Sequence, residues 1–175
     1  LLRYIAYQMQ LQERTHLDLA ELLELINEQL PAKSRDHAAS LCEELTWHTG
    51  ILSPSNGRQS YVWVASAFRS YLAARWIVEN HLSASLLPFV NSRWWKDTIV
   101  LVAALLPDPL SFVSEVESHG REEPYKWFLF ASCLAELNEG DEVLRGRVAD
   151  RLFGLFESGS AEYWGAAATA IAGMY

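Results

Sequence analysis

The side chains of this 175-residue chain that could carry chemistry include five histidines, two cysteines and 22 acidic residues. Their spacing decides what they can do. His37, Cys42 and His48 come nearest to a metal set, but they stand five and six residues apart. On a single helix, ligands converge at spacings of three or four, so these three point in different directions. His16, His81 and His119 fall at expected helix ends or loops. No Gly-x-Ser-x-Gly turn presents a nucleophile. Neither a Gly-x-x-x-x-Gly-Lys-Ser/Thr loop nor a Gly-x-Gly-x-x-Gly loop is present to cradle a phosphate. Glu43-Glu44 and Glu122-Glu123 are adjacent pairs, which read as solvated faces rather than convergent carboxylates. We therefore assign no catalytic, cofactor-binding or metal-ligating residue, and do not read the segment as an enzyme.

Charge narrows the partners. Lys and Arg number 14 against 22 Asp and Glu, for a net charge of −8 and a pI near 5.1, which argues against electrostatic capture of nucleic acid over the whole surface. Residues 1–85 carry 7 basic and 9 acidic side chains, and residues 86–175 carry 7 and 13, so the excess sits in the second part. The longest strictly apolar run, Ile99–Leu106, is eight residues, far short of the roughly 20 needed to cross a bilayer, so no membrane partner is expected. Cys42 and Cys133 lack CxxC spacing and read as reduced core thiols of a cytoplasmic protein. The chain opens at Leu1 without Met or a signal-peptide pattern, and closes on the apolar stretch Ala166–Tyr175. Both ends read as cuts through a longer polypeptide, the second leaving a stacking face uncovered.

The elements that would position these residues follow from periodicity. Leu2, Ile5, Ala6 and Met9 predict a helix over about 2–12. Thr15 and Asp18 form a plausible N-cap pair for a helix carrying Leu19, Leu22, Leu23, Ile26 and Leu30, stopped at Pro31. Ser34 is expected to cap a third helix with Ala38, Leu41, Cys42 and Leu45, ended by a left-handed Gly50. The period then changes: β-prone runs 51–55 and 60–64 flank Asn56-Gly57-Arg58-Gln59, a strong hairpin signal. Ser66 is expected to cap a long helix whose inner face holds Phe68, Leu72 and Trp76. Three helices, a hairpin and a further helix read as a winged-helix-like unit over 1–82, the hairpin being the wing.

From residue 83 to 175 only helices are expected, at about 84–91, 93–106, 109–118, 124–138, 141–157 and 160–175, punctuated by Pro88, Pro107, Pro109, Gly120, Pro124, Gly140 and Gly159. Trp94-Trp95 and Tyr125-Lys126-Trp127 recur about 31–32 residues apart at the start of two helices, each followed by a second helix. That predicts stacked pairs of HEAT or armadillo type. The fold class is thus mainly α: a winged-helix-like unit with one β-hairpin, then a HEAT-like array. The seven tryptophans read mostly as packing residues, with Trp94 or Trp95 the one expected at the surface. A DNA-reading role needs several cations on one face. Around the helix before the wing, Lys33 and Arg35 face Asp36, Glu43 and Glu44, and the wing adds only Arg58.

The stretch Tyr61-Val62-Trp63-Val64-Ala65-Ser66-Ala67-Phe68-Arg69-Ser70-Tyr71-Leu72-Ala73-Ala74-Arg75-Trp76 resembles the end of the winged-helix domain of NACHT-type STAND NTPases. There an aromatic-x-His strand end precedes a helix opening Phe-Gln-Glu-Tyr-Leu-Ala-Ala. Phe68, Tyr71, Leu72, Ala73 and Ala74 match; Arg69-Ser70 replace Gln-Glu, and Trp63 stands where Phe is common. Ala65 takes the place of the His that reaches the bound ADP phosphates, so that contact is absent here. The resemblance covers about residues 1–106. It implies a non-catalytic regulatory segment that relays ligand sensing to nucleotide-controlled oligomerisation. It would contact a protein partner or sensed ligand through its helical region, and other domains of the parent chain. ATP or ADP and Mg would belong to an NTPase domain upstream of Leu1, with no cofactor in this segment. Defence signalling and transcriptional control are both open settings. The competing readings are a stand-alone helical scaffold binding a protein partner and a DNA-binding winged-helix regulator.

Overall fold

The computed structural model describes residues 1–119, 124–137, 142–157 and 161–174. Among them the chain is mainly helical, with one small three-stranded antiparallel sheet. None of the described helices is long and apolar enough to cross a membrane. Contacts divide it into two compact units, Leu1–Ile77 and Val78–Tyr175, where the periodicity of the sequence placed a boundary at 82/83. The expected breakers Gly120, Gly140 and Gly159, the pair Glu122-Glu123, the terminal Tyr175 and the Arg58 side chain lie outside the described residues.

In the first unit, α1 (Leu2–Leu11) buries Ile5, Ala6 and Met9 on one face, the 3–4 spacing of a helix packed on one side. The chain then enters β1 (His16–Asp18), a strand not expected from the sequence. Because the backbone is extended through residue 18, the cap of α2 (Leu19–Gln29) is Asp18 and not Thr15. The Glu21 amide donates to Asp18 Oδ1 at 2.8 Å, and the Asp18 amide donates to Glu21 Oε2 at 2.9 Å. This reciprocal capping box satisfies two backbone donors that the first turn otherwise leaves unpaired. Arg14 holds the same carboxylate through both guanidinium nitrogens. Leu30 is extended (φ −90°, ψ 140°) ahead of Pro31, which terminates the helix as steric conflict at Pro requires.

A 3-10 turn (Ala32–His37) leads into α3 (Ala38–Trp47). Ser34, expected as the cap, lies inside that turn, and His37 occupies the N-cap without a side-chain bond. Gly50 then takes φ +63°, as anticipated. The hairpin is β2 (Leu52–Ser55) and β3 (Ser60–Trp63), in register Ser55 to Ser60 and Leu52 to Trp63. Its four-residue loop holds Asn56 and Gly57 at φ +47° and +65°, the pair of residue types that tolerates left-handed backbone in a tight turn. The strand order is β1-β3-β2, so β3 is central and its Tyr61 and Trp63 point into the core. Pro54 sits on the edge strand β2, where its missing N–H costs the ladder nothing. The core gathers Ile5, Met9, Leu17, Leu22, Ile26, Leu52, Trp63 and Ala73.

Helix α4 (Ser66–Glu79) starts at Ser66, which therefore sits in the first turn and does not cap it from outside. Its orientation differs from the expectation by about one residue. Arg69, Ser70, Ala73, Ala74 and Ile77 are buried, while Phe68, expected inside, is 47% exposed and Tyr71 42%. The reason lies at Arg69. Its Nε donates to Gln10 Oε1 at 3.1 Å and a terminal nitrogen to the Arg14 carbonyl at 3.3 Å. Seven residues on, Trp76 meets Tyr4 of α1 at 5.1 Å between ring centroids. The seam Arg69-Ala73-Trp76 thus faces α1, and Phe68 is rotated outward.

The second unit begins with a 3-10 segment (Ser83–Phe89) where an α-helix was expected at 84–91; Pro88 cannot donate the bond an α-helix needs there. Five helices follow: α5 (Lys96–Leu105), α6 (Pro109–His119), α7 (Pro124–Ala135), α8 (Glu142–Glu157) and α9 (Ala161–Met174). Each packs on the next, and α7 also packs on α5 and α9, so α5, α7 and α9 run side by side with α6 and α8 against them. Trp127, Leu129, Phe130, Ala131, Cys133 and Leu134 of α7 are all buried, the all-round apolarity of a helix enclosed by others. Trp95 is also buried, stacked on Phe89 at 4.6 Å, and Trp94 is half-buried. The exposed tryptophans are instead Trp47 (60%) and Trp164 (48%).

Two outcomes follow. Ile26→Ala is expected to cost about 2–5 kcal/mol, since a fully buried side chain leaves a cavity, whereas Phe68→Ala costs about 1 kcal/mol because half of its ring is already in water. Urea unfolding of the two variants checks the order. Separately, Arg14 and the Asp18 amide hold the Glu21 carboxyl below its ordinary value. A lowered folded-state pKa gives stability that is complete above the ordinary glutamate pKa of about 4.3 and is lost as pH falls through the lowered value. Unfolding midpoints measured from pH 6 to 3 should therefore fall less steeply in Glu21→Gln than in the parent.

Candidate functional site

The residues considered for metal binding are spread along α3. His37 is exposed at its N-cap, Cys42 is buried at mid-helix and His48 is exposed at its C-cap. Among the described residues no three His, Cys, Asp or Glu side chains gather to hold a metal ion. His16, His81 and His119 are exposed, as are Glu43 and Glu44. Ala65 lies exposed in the turn between β3 and α4, where its carbonyl accepts from the Phe68 amide at 3.1 Å. Phe68 and Tyr71, three residues apart on α4, stand exposed on one face, and Val64 is exposed in the turn before the helix.

Each unit holds a concave surface of its own. In the first, a cavity of about 260 Å³ opens between α2, α3 and the hairpin, bordered by Leu19, Leu23, Cys42, Trp47 and Tyr61. Burial raises the Cys42 thiol pKa, partly offset by a hydrogen bond with Tyr61. Thr46 Oγ1 donates back to the Cys42 carbonyl at 3.0 Å.

The second unit holds the larger one, a groove of about 630 Å³. Arg93, in the turn before α5, and Lys96, at the start of α5, supply two cations. Tyr125, Phe128 and Ser132 come from α7 at positions one turn apart. Tyr163, Gly165, Ala166, Thr169 and Ala170 come from α9. The α9 residues are small, and a Cβ added at Gly165 would meet no atom within 4 Å, so this wall leaves open space. Phe128 and Tyr163 lie 6.1 Å apart at 34°, an offset aromatic pair. The Tyr125 hydroxyl donates to the Ser92 carbonyl at 3.1 Å. Burial first, and the Asp97 carboxylate second, push its pKa up to about 12, against the opposing pull of Arg93. It stays protonated at any physiological pH. No residue of this groove was singled out for ligand binding in the sequence, because its members come from three helices separated by some 30 residues each. The helix starts at Trp94-Trp95 and Tyr125-Lys126-Trp127 were the available signal.

A second aromatic site lies on α7 and α8, where Arg151 sits over the buried Trp127 ring at 5.6 Å and the Lys126 ammonium at 5.2 Å. Arg147 bonds Glu117 of α6 at 3.4 Å across the same region. These contacts link α6, α7 and α8 around a smaller cavity of about 290 Å³ bordered by Glu117, Trp127, Arg147, Asp150 and Arg151.

Comparison of the chain with known protein families, with curated proteins and with solved structures finds no match.

Thiol chemistry separates the two units. Burial drives the Cys133 pKa up to about 12, and its sulfur is fully enclosed, whereas Cys42 borders a cavity. At pH 8 iodoacetamide should label Cys42 before Cys133, both far more slowly than free cysteine, and Cys133 only on unfolding. Mass mapping of the labelled peptides reads this directly.

Proposed function

We propose that the chain is a regulatory and protein-interaction segment of a NACHT-like signalling NTPase, a winged-helix domain followed by a HEAT-like helical array. The observation that carries this reading is the element order of the first unit. Helix, short strand, two helices and a hairpin occur in that sequence, with the sheet ordered β1-β3-β2. The helix after the hairpin then opens with Phe68-Arg69-Ser70-Tyr71-Leu72-Ala73-Ala74. A winged-helix fold is assembled in this order. The array reading draws on the alternation of the second unit, where α7 touches both its sequence neighbours and the helices next beyond them, as stacked helix pairs do.

In this reading the segment is non-catalytic and holds no cofactor. ATP or ADP with Mg acts in an NTPase domain upstream, and the protein is cytoplasmic. The exposed side chains Val64, Phe68 and Tyr71 contact other domains of the parent chain, and the helical region contacts a protein partner or sensed ligand. Displacement of that contact permits nucleotide exchange and oligomerisation. Ala65 offers no side-chain hydrogen bond to a nucleotide, so coupling to nucleotide state runs through packing instead.

The coding sequence upstream of Leu1 tests the proposal. A Gly-x-x-x-x-Gly-Lys-Ser/Thr loop in frame within a few hundred residues is the expected finding. A start codon directly before Leu1 overturns it and leaves a stand-alone helical scaffold.

A further inference from the structure

The groove of the second unit has a donor inventory that selects its ligand. Three of its four hydroxyls donate within the protein: Tyr125 to the Ser92 carbonyl at 3.1 Å, Ser132 to the Phe128 carbonyl at 2.8 Å, and Thr169 to the Gly165 carbonyl at 2.9 Å; the fourth belongs to Tyr163. The charged donors are the N–H groups of Arg93 and Lys96, which form no ion pair among the described residues. Asp97 is the carboxylate at this end, exposed and beside Lys96. A ligand that pairs with these two cations must bring acceptors, and a negative charge makes those hydrogen bonds shorter and stronger. The remaining surface is mostly apolar: Tyr125 and Phe128 of α7 face α9, which contributes Tyr163 and the small residues Gly165, Ala166 and Ala170.

Size and charge choose between ligand classes. About 630 Å³ lies within the roughly 300–1,000 Å³ of small-molecule sites. Residues 78–175 carry 7 basic and 14 acidic side chains, a net negative charge that disfavours a long polyanion. A compact ligand with one anionic group meets only the two cations and the rings.

We propose that the groove between α5, α7 and α9 is a binding site for a small anionic aromatic compound, its phosphate or carboxylate held by Arg93 and Lys96 and its ring lying among Tyr125, Phe128 and Tyr163. The site lies inside the second unit and does not depend on the winged-helix or NTPase reading. A chain that starts at Leu1 would bind equally well.

The test is calorimetric titration of the 175-residue chain with 1-naphthyl phosphate. Saturable binding is expected, at least tenfold weaker for uncharged 1-naphthol and for inorganic phosphate alone, and weakened as salt rises. The double variant Arg93→Ala, Lys96→Ala removes surface cations only and should lose at least tenfold in affinity. Ala166→Trp, at an exposed position, fills the groove and should abolish binding. Circular dichroism verifies that both variants stay helical, and the second covers the case in which the first fails to fold. Absence of saturable binding at millimolar ligand overturns the proposal, as does unchanged affinity in either folded variant. Tighter binding of the acidic peptide acetyl-Glu-Tyr-Glu-Asp-amide than of 1-naphthyl phosphate also overturns it, in favour of a peptide groove.

Discussion

A buried guanidinium sets the geometry of the first unit. Arg69 is 7% exposed, and burying a cation is costly unless its donors are met. Its bonds to Gln10 and to the Arg14 carbonyl can form only with α4 turned so that Ala73 and Trp76 face α1. The same stretch of chain then continues outward. The carbonyl of Arg14 serves Arg69, while its side chain clamps Glu21, and Glu21 closes the box with Asp18. One run of polar contacts thus fixes the end of α1, the entry to β1, the start of α2 and the facing of α4. Tyr4 adds a parallel tie from α1 to α2, donating to Glu28 at 2.5 Å; burial and that carboxylate raise its pKa to about 12, so the proton stays in place.

The second unit is built differently. Its organising element is apolar: α7 packs against four other helices, which bury most of its apolar side chains and leave Tyr125 and Phe128 on the groove. Polar contacts appear at the periphery, as where Arg147 reaches Glu117 or Arg145 reaches the Leu137 carbonyl at 3.0 Å. A Cβ added at Gly173 of α9 would meet the Ala135 side chain at 3.6 Å, ordinary van der Waals contact, so α9 packs on α7 at its far end. The near end of the same pair, around Gly165, is open. The groove is the space between a pair of helices that meet at one end and part at the other.

Much of this was legible in residue order. Helix positions, the hairpin and its Asn-Gly turn, the stops at Pro31 and Pro107 and the left-handed Gly50 all follow from local chemistry that a short window contains. Leu106, for example, is extended because Pro107 follows it. What failed was non-local. β1 has one inward side chain, Leu17, too few to display an alternation, and exists because β3 offers it a partner. Of the expected α4 stripe Phe68, Leu72 and Trp76, Leu72 packs on the core and Trp76 on Tyr4, but Phe68 turns outward because a residue 59 positions away, Gln10, draws Arg69 inward. Ser34 and Ser66 are good capping types, yet the 3-10 turn and the early start of α4 place both inside helical turns. The groove was invisible for the same reason: Arg93, Tyr125 and Tyr163 are unremarkable singly and acquire a role only when three helices align.

The sheet has two outer strands, and neither is fit to recruit a third chain. β1 spans three residues, and the free side of β2 carries Pro54, which has no amide proton to offer. Open sheet edges are the usual seeds of intermolecular strand addition and fibre growth. With both edges blunted, the small sheet can sit near the surface through many cycles of local opening without templating aggregation.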